Sequence, residues 1–210
     1  MSGSHLASVE RKRFCDALAE TGPDAATLCE GWMTRDLAAH VFVREHRPLA
    51  MPGILLGGRF ARLTEGSMTT ALYTYGYAGV VAKVRSGPPL LWRPLDGLVN
   101  LVELFVHTED VRRAQPGWEP GEDPELDAAL WRILERLSRM LARKIRGAGL
   151  ELERSDGKRI IARKGGSSAV LTGGAQELVL FLYGRGQAAR VSLTGPEEAQ
   201  RLVRETHFGF

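Results

Sequence analysis

Cysteine is scarce in this chain: 210 residues contain two, Cys15 and Cys29. A pair cannot build a disulfide framework, and the N-terminus lacks the basic, apolar and small-residue order of a secretory signal, so a reducing cytoplasm is the expected compartment. Long apolar runs are missing as well. Arg, Glu, Lys or Gly interrupts each one well before the ~18 residues that a membrane span requires, which excludes a transmembrane helix. Nor is there much excess of one charge. Lys and Arg number 28 against 25 Asp and Glu, a formal charge of +3, and the two signs interleave, which argues against a nucleic-acid partner. The densest basic stretch, Arg132, Arg136, Arg139, Arg143, Lys144 and Arg146, is spaced among apolar residues at helical intervals and reads as a solvated helix face. With 44% hydrophobic and 25% charged residues, the composition is that of a folded globular protein.

Two rhythms are present. From Leu6 to about Arg146 apolar residues recur at three and four, the helical period. A first helix is predicted over 7–20, ending at Thr21-Gly22-Pro23, and a second begins near Thr34 as N-cap, with Asp36 in its first turn, and stops before Pro48. Gly53, Gly57 and Gly58 mark a loop; residues 60–85 are helical with a break around Gly76 to Gly79. Asp96 opens a helix over 98–115. Pro124 opens the longest one, with an apolar stripe of Leu126, Leu130, Ile133, Leu134, Leu137, Met140, Leu141 and Ile145. After Gly147 the rhythm becomes alternating, with a hairpin turn at Ser155 to Lys158, strands over 159–163, 169–172 and 189–193, and helices over 175–183 and 196–204. The expected architecture is multi-domain, α plus α+β: an antiparallel up-and-down helical bundle over residues 1–147 and a small α+β domain over 148–210.

One helix carries the clearest chemistry. Glu103 and His107 stand four apart and project from one face, a spacing that suits a shared metal ion. Asp110, three residues further, is placed to accept a hydrogen bond from a ligating imidazole. His40, two turns into the second helix between apolar Leu37 and Val41, is expected to point inward, where a buried imidazole requires a partner. Two imidazoles and one carboxylate leave open positions on an ion, the arrangement of a catalytic rather than a closed structural site. On spacing alone the alternative stands: Glu and His four apart are common on helices, and an inward His is often a hydrogen-bonded core residue. His46, flanked by Arg44, Glu45 and Arg47, reads as surface, and His207 as exposed tail.

Residues 28–40 (LCEGWMTRDLAAH) and 103–114 (ELFVHTEDVRRA) resemble the metal-binding domain of the mycothiol-dependent maleylpyruvate isomerases, in the DinB-like superfamily. With 115–120 (QPGWEP), the whole chain resembles an actinobacterial branch of that superfamily, described as metal-binding proteins. Residues 178–185 (LVLFLYGR) are similar to the sterol-carrier-like domain that those proteins append. The resemblance implies a DinB-like bundle whose His, Glu and His ligands fall on His40, Glu103 and His107 and hold a divalent metal, zinc first. It also implies chemistry with a low-molecular-weight thiol, mycothiol, transferred to or isomerising an electrophilic small molecule. Arg185 and Arg190 are then the candidates to pair with a substrate carboxylate or with polar groups of the thiol, in a monomer or homodimer. Two readings from other classes stay open. One is a regulatory or binding module with a structural metal or none; the other is a metal-dependent enzyme of secondary metabolism that uses no thiol, its pocket shaped by 53–58 and by Tyr73, Tyr75 and Tyr77. Cys29 as a reactive thiol and Trp32 as a packing residue complete the set.

Overall fold

The computed structural model describes residues 3–46, 59–89 and 98–209. The predicted stop at Pro48, the glycine-rich 53–58 and the opening at Asp96 lie outside the described residues. Within them the chain divides into two units, Met1–Pro120 and Gly121–Phe210.

In the first unit the three-and-four period produces helices α1 (Gly3–Thr21), α2 (Thr34–His46), α3 (Arg59–Ser86) and α4 (Leu98–Arg112). Helix α2 packs on α3, and α1 packs on both α3 and α4. Their apolar faces meet in a core that includes Phe14, Leu18, Leu37, Val41, Val80, Val84, Leu104 and Val111. The break expected in α3 falls on Gly76, at φ 64 and ψ 171, a conformation open to glycine and costly for any residue with a Cβ. Tyr77 beside it donates its hydroxyl to the carbonyl of Leu18 at 2.7 Å. Tyr73 is exposed to solvent and Tyr75 largely so.

The start of α2 differs from the prediction in its cap. Thr34 is the first helical residue and is wholly buried, its hydroxyl donating to the carbonyl of Gly22. The end is closed instead by Asp36, whose carboxylate reaches back to accept from the amide of Met33 at 3.0 Å, which satisfies one orphan donor and sets a negative charge against the positive helix end.

The second unit opens with α5 (Pro124–Leu141), capped by Asp123, which accepts from the amide of Leu126 at 2.9 Å. A 3-10 turn (Ala142–Lys144) leads to β1 (Gly149–Arg154), β2 (Arg159–Arg163) and β3 (Ser168–Gly173), then α6 (Ala175–Leu180), β4 (Ser192–Thr194) and α7 (Glu197–Arg204). The strands form one sheet in the order β2-β1-β3-β4, with β1 and β3 parallel and the other neighbours antiparallel. Gly149 and Gly165 let the chain pass from β2 across to β3. A Cβ on Gly165 would sit 2.3 Å from the backbone nitrogen of Gly149, so only glycine fits.

Three details depart from the sequence reading. Helix α6 stops at Leu180 and widens into a π turn over Phe181–Arg185. Strand β4 covers 192–194 rather than 189–193. Met140, counted in the apolar stripe, is 43% exposed. The stripe of α5 faces β2 and α6. Asp127 in α5 caps α6 by accepting from the amides of Ala175 at 2.6 Å and Gln176 at 3.4 Å. A hydrophobic stripe states that a helix is covered and leaves its cover unnamed. Arg132, Arg136, Arg139, Arg143, Lys144 and Arg146 are all exposed, the solvated face expected of them. Among the described residues no helix is long and apolar enough to cross a membrane.

Candidate metal centre

Helix α4 turns Glu103 and His107 to one side, and α2 brings His40 to meet them. One ligand atom from each of the three lies within 4.8 Å of the other two. Atoms that share one ion at ~2.0–2.2 Å each lie within such a distance of one another. The imidazoles of His40 and His107 stand edge to face, with ring centres 5.4 Å apart at 81°, and both residues are buried. Nε2 of His107 is 3.5 Å from a Glu103 oxygen and makes no hydrogen bond.

Asp110 explains why this nitrogen is the one left over. Its carboxylate is fully buried and accepts from Nδ1 of His107 at 2.9 Å and from the thiol of Cys29 at 3.2 Å. An ionised carboxylate can only accept, so the Nδ1 proton is fixed and Nε2 is the nitrogen turned toward Glu103 and His40, its lone pair offered to an ion once its own proton leaves. The buried, unbonded Nε2 and the mixed imidazole and carboxylate donors fit a divalent ion of the zinc type. A second group of potential ligands, Cys29, His107 and Asp110, would need the Nδ1 already bonded to Asp110.

The charges are consistent with that pairing. Burial by itself would raise the pKa of Glu103; contact with His107, the Arg44 guanidinium and the charges of His107 and His40 outweigh it and bring the value to about 2. For His107 burial works toward the neutral form, but Asp110, Cys29 and Glu103 overcome it and hold the pKa well above the ordinary imidazole value. Without metal, the pair is therefore an imidazolium beside a carboxylate.

The loop between α1 and α2 supplies the surroundings. It is pinned to the end of α4 by the amide of Leu28 donating to the carbonyl of Asp110 at 2.9 Å and by Gln115 donating to the carbonyl of Ala26 at 3.0 Å. Inside the loop the Thr27 hydroxyl accepts from the amide of Cys29 at 3.2 Å and donates to the carbonyl of Trp32 at 2.8 Å. These bonds carry Cys29 to Asp110 and tilt the indole of Trp32 over His40, ring centres 5.2 Å apart. Trp32 thus packs on a proposed ligand.

Arg44 was missed by the sequence reading, although the rule that singled out Glu103 and His107 applies to it: it lies one turn beyond His40 on α2. Its side chain is 9% exposed, its Nε is 3.9 Å from a Glu103 oxygen, and its buried Nη1 has no hydrogen-bond partner. The surface reading of this stretch is corrected at Glu45 as well, which is buried against Arg11. His46 is half-buried, its ring stacked on Phe42 with centres 4.6 Å apart. His207 is exposed, as expected. Arg185 and Arg190 belong to the second unit. Arg185 donates to the carbonyl of Tyr183 at 2.6 Å; Arg190 is exposed and its amide donates to Glu177 at 2.7 Å.

No family model and no curated protein matches the chain. Among solved structures, the crystal structure of the mycothiol-dependent maleylpyruvate isomerase matches with a TM-score of 0.60 at 18% identity, over 91% of each chain. The chain has the fold of that isomerase. A histidine-to-alanine variant of the same enzyme matches over the same 91% of both chains, with a TM-score of 0.60 and 16% identity. At such identity the likeness to the isomerase is one of fold, and the chemistry of this chain has to be argued from its own side chains.

Proposed function

We propose that this protein is a metal-dependent enzyme that activates a low-molecular-weight thiol, of which mycothiol is the first candidate, and delivers it to an electrophilic small molecule by transfer or in an isomerisation. The reading takes the first unit as a DinB-like bundle and the second as a sterol-carrier-like domain. Its chief support is the convergence of two imidazoles and one carboxylate from two separate helices, with one imidazole oriented by a buried aspartate.

His40, Glu103 and His107 would hold the ion, and three protein ligands leave it an open position. A bound divalent metal, zinc by preference, lowers the pKa of a coordinated thiol so that the thiolate is available near neutral pH. Asp110 keeps the His107 proton on Nδ1 throughout, so that His107 neither rotates nor exchanges tautomers while substrates come and go. Burial of both imidazoles keeps water from the ligand atoms. Arg185 and Arg190 are its candidates in the second unit for a substrate carboxylate or for polar groups of the thiol.

Elemental analysis of protein purified without chelator tests the centre: one divalent ion per chain is expected, lost in His107→Ala. Thiol consumption with a panel of electrophilic acceptors then tests the chemistry. Metal without thiol turnover refutes the transfer and isomerisation reading and spares the centre; a chain that binds no divalent ion refutes both.

A further inference from the structure

We infer that Cys29, Asp110 and Nδ1 of His107 form a second divalent-metal site, selective for thiophilic ions, on the opposite edge of the imidazole that His107 lends to the first centre. The thiol of Cys29 and the Nδ1–H of His107 donate to the same Asp110 oxygen, at 3.2 and 2.9 Å. One sulfur, one nitrogen and one oxygen therefore converge, all within 4.8 Å of one another. Ligand atoms around a tetrahedral ion at ~2.0–2.3 Å stand roughly 3.3–3.6 Å apart, so the two contacts need open only slightly to admit one.

Charge decides whether a buried cluster accepts an ion. Asp110 is fully buried and His107 is 7% exposed, so an ion that brought uncompensated charge would be kept out. Here two protons, one on Sγ and one on Nδ1, lie among the three ligand atoms. A divalent ion that takes their place exchanges an S–H and an N–H bond for bonds to the metal, releases both protons to solvent and leaves the charge of the cluster unchanged. Cys29 supplies the way in: it is half-buried and sits in the loop between α1 and α2, so this ligand is reached from solvent, which completes the shell of the ion. The two sites differ in their donors. The first offers nitrogen and oxygen alone; the second adds a thiolate, which favours soft ions. Cys15 does not compete, being wholly buried, with its thiol donating to the carbonyl of Val81. With both sites filled, the His107 ring carries no proton and bridges the two ions.

Cadmium titration of the zinc-loaded protein reads the site directly, because a cadmium–thiolate bond absorbs in the ultraviolet and the first centre has no sulfur. The band should saturate at about one cadmium per chain, with zinc content unchanged and about two protons released per ion. Cys29→Ser should lose both the band and the bound cadmium, and Cys15→Ala should keep them. Should the serine variant fail to fold, alkylation of Cys29 in the folded wild-type protein removes the same ligand. The double variant His40→Ala, Glu103→Gln lacks the first centre and should still give the band. A wild-type protein that holds no zinc would refute the proposed function by itself, and the same titration would still decide the second site. Absence of the band overturns the inference, as does cadmium that displaces zinc one for one without it, or a band that survives Cys29→Ser. A band lost with His40 and Glu103 overturns it too, since the thiolate would then be reaching an ion seated in the first centre.

Discussion

Arg11 and Arg44 both fold their side chains into the first unit, and they are treated differently. Arg11 donates to both oxygens of Glu45, at 2.7 and 2.6 Å, and to the carbonyl of Val84 at 3.2 Å. Among the described residues the carboxylate beside Arg44 is that of Glu103, 3.9 Å from its Nε, and its buried Nη1 is unbonded. The contrast is sharper because Glu45 directly follows Arg44 on α2, so neighbouring residues serve opposite sides of one helix. A saturated polar cluster holds the helices together in one arrangement. An unsaturated one lowers stability and is kept where something else completes it.

The comparison is broken most severely at its saturated member. Arg11→Met leaves the Glu45 carboxylate buried without its principal cation, and chemical denaturation should show a loss of about 3–5 kcal/mol. Arg44→Met removes a cation that is poorly paired, so its stability should stay within about 1 kcal/mol of the parent. Equal losses in the two variants would erase the distinction between them. The next effect concerns metal. Asp110→Asn keeps the shape of the side chain but removes its charge and turns one acceptor oxygen into a donor, so the His107 proton is no longer fixed by charge, and it should weaken metal affinity about 10–100-fold by chelator competition. Unchanged affinity would show that His107 is oriented by its packing.

Much of this was readable in the sequence, for identifiable reasons. Helical period and the i, i+4 rule lead directly to Glu103, His107 and Asp110, because three residues on one helix need no tertiary knowledge to be placed together. His40 required one further step, that an imidazole between apolar neighbours points inward. The parts that were not legible depend on contacts between elements. Cys29 meets Asp110 only because a loop folds back on the end of α4, and α5 joins the sheet because it packs on β2 and α6. Arg44 is a different case: its position on the stripe was available, but a run of charged residues was taken as solvated. Charge in sequence reports composition, and burial decides what the charge does.

A smaller effect follows from pH. Glu103 has its pKa lowered from 4.5 to about 2, so its contribution to stability is present above 4.5 and is lost as pH falls toward 2. His107 has its pKa raised above 6.5, so its contribution is present below 6.5 and is lost as pH rises through the higher folded value. For these two groups the metal-free protein is therefore most stable between roughly pH 4.5 and 6.5. Metal reverses the upper limb, since ligation needs the Nε2 lone pair and expels a proton. Affinity should rise about tenfold per pH unit while His107 remains protonated. Melting temperatures with and without metal should diverge as pH rises, and calorimetry in buffers of different ionisation enthalpy should count about one proton released. No release near pH 6 would exclude His107 as a ligand.

The smallest effect separates the two cysteines. Cys15 lies in the saturated core, wholly buried, and burial first of all pushes its thiol up to about 11, so it should resist alkylation until the protein unfolds. Cys29 is half-buried at the site, and its thiol donates to Asp110. Under mild iodoacetamide, peptide mapping should find Cys29 modified first. Cys29→Ala removes one of the bonds that hold the Asp110 carboxylate, a neutral donor worth about 0.5–1.5 kcal/mol. Because Asp110 acts on the metal only through His107, part of that loss reaches the ion, and affinity should fall by less than tenfold. Cys29→Ser, which restores a donor, should recover most of it. A serine variant as weak as the alanine variant would mean that Cys29 acts through its bulk, and the chain of bonds from loop to aspartate to imidazole would end at Asp110.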